Sequence, residues 1–340
     1  VRILVWHVHG GWMDAFVQGR HEYVVPTTAE KLASPEGNLR GWPDSVHEVD
    51  ERKLRDEQID VVVLQRVEEI GDAERLLGRR LGVDVPAVFV EHNTPKEGVP
   101  NSVHPLAERS DIPIAHVTHF NRLIWDTGSA PTVVIEHGIP DPGALYTGSQ
   151  RELGVVINEP VRRWRVTGTD LLPRFAAVGR LRAFGIAADL LPEALSLDED
   201  RLVYGGDLPT RRLHASLADC RVYVHPLRWT SLGLSLLEAM HLAMPVVALA
   251  TTEASRAVPP EAGAISADVD ELVRAARLLL DNPDEARARG LVAREFAREH
   301  YSLATYQNRW DELLEDAVET HARRNRTLLA PAGATTGSLE

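Results

Sequence analysis

The 340 residues carry 37 Lys and Arg against 50 Asp and Glu, a formal net charge of −13. With no basic excess to neutralise a phosphate backbone, a nucleic-acid partner is excluded, while anionic small ligands stay open because a local arginine cluster overrules the global sign. A hydrophobic fraction of 44% supplies a full core, and the length suits two domains of ordinary size. The single cysteine, Cys220, excludes an intramolecular disulfide and suits a reducing cytoplasm. No apolar run approaches the roughly 18–20 residues of a membrane span. The chain opens directly on a strand, so no signal peptide is expected; the expected location is cytoplasmic, with any membrane contact peripheral.

Ile3-Leu4-Val5-Trp6 reads as a strand running into the turn His7-Val8-His9-Gly10-Gly11-Trp12. The paired glycines lack the spacing of a dinucleotide fingerprint. Trp12 is either a core residue or a stacking face for a sugar. Residues Gly19 to Trp42 read as a loop, and the charged stretch Val49 to Gln58 as the exposed face of a helix. Asp60 to Gln65 is a buried strand, and Glu68 to Leu81 a helix ending at Arg79, Arg80 and Gly82. Pro86 to Val90 is a strand that delivers Glu91, His92, Asn93 and Thr94 at its carboxyl end, where open α/β sheets bind ligands. Ile114 to Asn121 reads as the next strand and turn, and Pro131 to Pro140 closes this half of the chain. Fourteen histidines include no HExxH and no tight pair of histidines with a carboxylate, so no metal site is expected.

Pro140 to Gln150, rich in Pro, Gly and Ser, is the expected linker, and Gly154 to Ile157 opens a second sheet. Arg162, Arg163 and Arg165 follow as a local cation cluster suited to bidentate phosphate binding. Arg201 to Pro209 is a strand ending in the glycine turn Gly205-Gly206, and Leu213 to Cys220 a short helix. The strand Val222 to His225 is ended by Pro226; Thr230 or Ser231 then caps a helix with apolar Leu236, Leu237, Met240 and Met244, and Val246 to Ala250 is a second buried strand. Strand, helix and strand make a βαβ unit of a parallel sheet. Its helix N-terminus would turn the amides of Ser231, Leu232 and Gly233 toward an anion, and Glu238 is a carboxylate on an otherwise apolar helix. Helices are expected over Val269 to Leu280, Pro283 to His300 and Tyr301 to Val318.

Residues 222–250 resemble the second half-site of the retaining GT-B glycosyltransferases, the glycogen-synthase-like family of glycosyl transferases group 1. Pro226, Gly233, Leu234, Leu237, Glu238, Ala239, Met240, Pro245, Val246, Val247 and Ala248 match its motif. Thr230 stands where that family has its first glutamate, and Ala243 where it has a glycine. The resemblance implies an α/β GT-B fold: two facing doubly wound Rossmann-like domains with a cleft between them. It implies an acceptor-side domain over 1–142, a nucleotide-sugar domain over 151–300 and a helix at 301–320 returning to the first domain; 323–340 reads as a disordered tail.

By the same resemblance the activity is metal-independent transfer of a sugar from a nucleotide-diphosphate sugar to a glycan, glycolipid or small-molecule acceptor, with retention and no cofactor. His92 and Thr230 would lie at the donor sugar, and Gly10 and Gly11 near the donor phosphate. Arg162, Arg163 and Arg165 would replace the family's Gly-Arg and Lys-Gly cations, since its lysine position is Thr167 here. Gly206 and Leu208 would present backbone groups to the base, Ser231 to Leu234 would face the phosphates, and Glu238 would hold the ribose. Two alternatives stay open: a sugar-nucleotide-binding protein without catalysis, and another enzyme of the same fold, such as an epimerase. A phosphorylase fits less well, because the lysines Lys31, Lys53 and Lys96 all precede the second domain.

Overall fold

Short apolar runs buried on both faces become the strands of two parallel sheets. The computed structural model describes residues 1–28 and 41–329. The first sheet comprises β1 (Arg2–Val5), β2 (Glu22–Thr27), β3 (Val46–Asp50), β4 (Val61–Leu64), β5 (Ala87–Glu91), β6 (Ile114–His116) and β7 (Thr132–Val134), in the order β3-β2-β1-β4-β5-β6-β7. The second comprises β8 (Gln150–Val156), β9 (Arg180–Phe184), β10 (Leu202–Gly206), β11 (Cys220–His225), β12 (Val246–Leu249) and β13 (Gly263–Ser266), in the order β10-β9-β8-β11-β12-β13. Every pairing in both is parallel. The strand order reverses beside β1 in the first sheet and beside β8 in the second, and ligands of doubly wound sheets bind outside the carboxyl ends at such points.

Each sheet is covered on both faces by apolar clusters. Val62, Leu64, Leu77 and Phe89 pack on one side of the first sheet; Val61, Val63, Trp12 and Phe16 pack on the other. The last helix, Leu303–Leu329, inserts Tyr306, Trp310 and Leu314 into that second cluster, so this helix returns to the first sheet. Gly138 admits this helix, since a Cβ there would stand 2.3 Å from Tyr306 Cβ.

Several boundaries differ from the sequence reading. The stretch read as a loop from Gly19 contains β2, whose Pro26 lies beyond Val24, the last residue paired to β1; residues 29–40 of that stretch lie outside the described ones. Val49 to Gln58 holds the end of β3 and then an exposed 3-10 helix, Glu51–Asp56, in place of a longer α-helix, and the Asp50 carboxylate at its start accepts from Arg52 N–H at 3.0 Å. The helix from Glu68 stops at Leu77 because Gly78 takes the left-handed conformation, with φ 66°. Gly10 and Gly11 open the helix Gly10–Phe16 rather than a free turn. The terminal helix continues through residues 323–329, where the tail was expected, its Ala-Arg-Arg-Asn-Arg run being compatible with helix; residues 330–340 lie outside the described ones.

Candidate active site in the cleft

The carboxyl ends of the two sheets face each other across a cavity of about 770 Å³, within the range of a small-ligand site. From the first half, His9 and Trp12 after β1, His92 to Thr94 and Lys96 after β5, and His137 line it. From the second, Glu159, Arg162, Arg163 and Val166 after β8, and Trp229 to Leu232 with Leu234 after β11, form the opposite wall. A shallower concavity of about 420 Å³ between Pro260 and Arg289 is remote from both strand ends that reverse.

The loop carrying His92 is pinned from both sides. Glu91 accepts from Asn93 N–H at 2.6 Å, and its other oxygen accepts from His104 Nε2 at 3.1 Å. The tautomer follows from Leu106 N–H donating to His104 Nδ1 at 3.0 Å. Trp125 Nε1 donates to Asn93 O at 2.9 Å. From the second half, Ser231 Oγ donates to His92 O at 2.6 Å and Trp229 Nε1 donates to Pro95 O at 2.7 Å. His92 packs against His9, with ring centroids 4.2 Å apart, and edge-on against Trp12 at 5.2 Å. Burial holds all three cleft imidazoles neutral: His92 is pushed well below its ordinary value, His137 down to about 4, and His9 downward by the same cause. His92 Nε2 is buried with no partner among the described residues, which leaves a polar atom for a ligand.

The three candidate arginines separate. Arg163 lines the cavity, has no ion pair among the described residues, and is lowered from its ordinary value chiefly by burial. Arg162 also lines it but is bound by Glu159, whose carboxylate accepts from Nε at 2.8 Å. Arg165 turns away to Asp170 at 3.2 Å, a carboxylate that also takes Arg228. Thr167, at the expected lysine place, is consumed by the turn: its hydroxyl donates to Trp164 O at 3.0 Å and lies 2.9 Å from Thr169 Oγ1.

The helix after β11 begins later than the sequence suggests. It spans Leu234–His241 with Gly233 as N-cap, so neither Thr230 nor Ser231 caps it; Ser231 has instead spent its hydroxyl on His92 O. Gly233 is required by packing, since a Cβ would stand 2.6 Å from His225 Cε1. Gly11 faces this helix across the cleft, its Cβ position lying 2.8 Å from the tip of the Leu234 side chain, Cδ1. Gly10, Gly11, Gly206, Leu208, Gly233 and Glu238 do not line the cavity itself. Gly206 has φ 115° and folds over Leu208, while Glu238 lies 3.7 Å from His214 Nε2 and is 19% exposed. Lys96, Trp229, His9 and Glu159 are lining residues that the sequence reading passed over; Trp229 and His9 stand directly beside residues it did select.

The model of the family described as Glycosyl transferases group 1 matches residues 172–282. That third of the chain is similar to this family. HepE from Anabaena, solved with UDP and glucose, is similar at 14% identity over 93% of this chain and 99% of its own, with a TM-score of 0.67. Sucrose-phosphate synthase from Thermosynechococcus elongatus is similar at 14% identity over 97% and 99%, with a TM-score of 0.63. TarM from S. aureus is similar at 15% identity and a TM-score of 0.60; 75% of this chain matches, and it spans just over half of TarM, at 55%. A search of curated proteins gives no match. The two parallel sheets facing across a cleft are the GT-B fold these structures share. Among the described residues, no helix is long and apolar enough to cross a membrane.

Proposed function

We propose that the cleft binds a nucleotide-diphosphate sugar and transfers its sugar with retention of anomeric configuration. The observation that carries this reading is the meeting, in one cavity, of a half-buried cation without an ion pair among the described residues, Arg163, with the neutral His92 and the loop Thr230–Leu232. Arg163 and the free amides at the start of the helix Leu234–His241 would take the diphosphate, to which an arginine hydrogen bond contributes about 1.5–3 kcal/mol. His92 Nε2 and the Thr230 hydroxyl would meet the sugar. Gly206, Leu208 and Glu238 would hold the nucleoside beyond the cavity, Glu238 at the ribose hydroxyls.

Transfer breaks the bond between the anomeric carbon and the β-phosphate oxygen, which keeps the electron pair. The acceptor hydroxyl attacks from the same face, and its proton passes to that departing oxygen. Charge developing on the diphosphate is met by Arg163 and the aligned peptide dipoles, without a metal and without a nucleophilic side chain. The cytoplasm, where nucleotide sugars are made, is the setting this activity calls for. Thr230 supports a second reading, a binding protein that does not transfer, because it brings no carboxylate to the sugar.

Thermal unfolding with UDP- and GDP-sugars tests the donor site. A ligand at 100 times its dissociation constant adds about 2.7 kcal/mol, and one member of the panel is expected to do so. No shift with any member would contradict the reading.

A further inference from the structure

Glu159 is out of place in a site built for an anion. Among the described residues it is the sole carboxylate lining the cavity, and it neutralises one of the two arginines there. Its backbone is held in the left-handed region, with φ 53° and ψ 47°, which costs energy for any residue but glycine. The surroundings impose this conformation from two sides. Glu159 N–H donates to Ile186 O at 2.7 Å, and Asn158 Oδ1 accepts from Ile186 N–H at 3.0 Å.

Stability does not account for the residue. Its side chain caps no amide of the short helix Pro160–Arg163 that it precedes. Its partner Arg162 is 69% exposed, and such a surface pair stabilises little. Binding a diphosphate alone would be served better without it. What a fixed carboxylate does well is accept two hydrogen bonds from neighbouring hydroxyls. The rest of the cavity wall suits the same ligand part: the ring of Trp229 and the neutral imidazoles of His9, His92 and His137 offer faces and single polar atoms without charge.

We infer that Glu159 distinguishes a sugar nucleotide from the free nucleotide, its carboxylate accepting hydrogen bonds from adjacent hydroxyls of the donor sugar. This rests on the proposed reading of the cleft as a nucleotide-sugar site. Isothermal titration with UDP and UDP-glucose, and with GDP and GDP-mannose, tests it on the native chain, Glu159→Gln and Glu159→Gly. For the pair the native protein takes, both variants should bind the sugar nucleotide at least tenfold more weakly. The free nucleotide should bind unchanged or up to a few-fold more tightly, because a negative charge has left the site. Glu159→Gly also relieves the left-handed backbone, so its thermal midpoint should equal or exceed the native one. A common shift for nucleotide and sugar nucleotide, or none for either, would reduce Glu159 to a surface ion pair. Failure of the native chain to bind any of the four probes would instead overturn the nucleotide-sugar site itself.

Discussion

The Ser231 hydroxyl donates to the His92 carbonyl across the cleft at 2.6 Å, in a fully buried setting. One bond thus ties the loop after β11 to the loop after β5. Ser231→Ala leaves a buried carbonyl without its partner, at a cost of about 1–3 kcal/mol. Urea unfolding should show that loss, and donor binding should weaken with it because His92 and Thr230 lose their shared register. Unchanged stability and affinity would mean that water replaces the hydroxyl without consequence.

Arg163 and Arg165 should behave differently although both are arginines of one loop. Arg163→Gln removes a cation of the cavity that has no ion pair among the described residues and should weaken nucleotide-sugar binding by about 1.5–3 kcal/mol, more than tenfold. Arg165→Gln breaks only the exposed contact to Asp170 and should leave binding within twofold. Titration of both variants at one ionic strength checks this; equal effects would show that the loop acts as a diffuse positive surface.

The whole architecture could be read from the sequence wherever apolar runs were long enough to be buried on both faces, as with β4, β5, β11 and β12. It was less legible where tertiary contacts chose the conformation. β2 was hidden by Pro26, which the sheet tolerates only because β1 ends before it. The start of the helix at Leu234 was masked by two good capping residues, of which Ser231 is drawn instead to a carbonyl 139 residues away in sequence. Three arginines in four positions gave no means of telling which one faces the cavity, because that depends on Glu159 and Asp170.

Ala243 shows a strain that can be removed. It has φ 69° at the end of the helix Leu234–His241, where Ala243 N–H donates to Met240 O and Met244 N–H to Ala239 O, both at 3.0 Å. This is the hydrogen-bond pattern that glycine closes without strain. Ala243→Gly should therefore stabilise the chain by about 1 kcal/mol. A lower thermal midpoint would show that the lost methyl packing outweighs the backbone relief.

Acid should destabilise the fold. Burial pushes His116, His137 and His225 down to about 4, and His92 well below its ordinary value. The unfolded chain binds protons at these groups below about pH 6.5, whereas the folded chain resists until about pH 4. Stability is therefore fully present above about pH 6.5 and falls as pH drops toward 4, each histidine adding up to about 1.4 kcal/mol per pH unit. Glu69 and Glu253, raised by burial, act in the opposite direction but are fewer. The urea midpoint should fall clearly between pH 7 and pH 5; a flat profile would show that the imidazoles are charged in the fold.

Thr230 bears on the choice between transfer and mere binding. If its hydroxyl holds the sugar, Thr230→Val should raise the donor Michaelis constant several-fold and leave binding of the free nucleoside diphosphate alone. An equal loss for both ligands would place Thr230 at the phosphates.

Retaining transfer from a nucleotide sugar in the cleft is decided by proton NMR of a reaction with the best-binding donor. Water can serve as acceptor when the natural one is absent. The nucleoside diphosphate should be released, with the free sugar appearing first as the anomer present in the donor. Tight binding with no consumption of donor, with or without a mixed acceptor pool, would make the protein a binder, and first appearance of the opposite anomer would contradict retention.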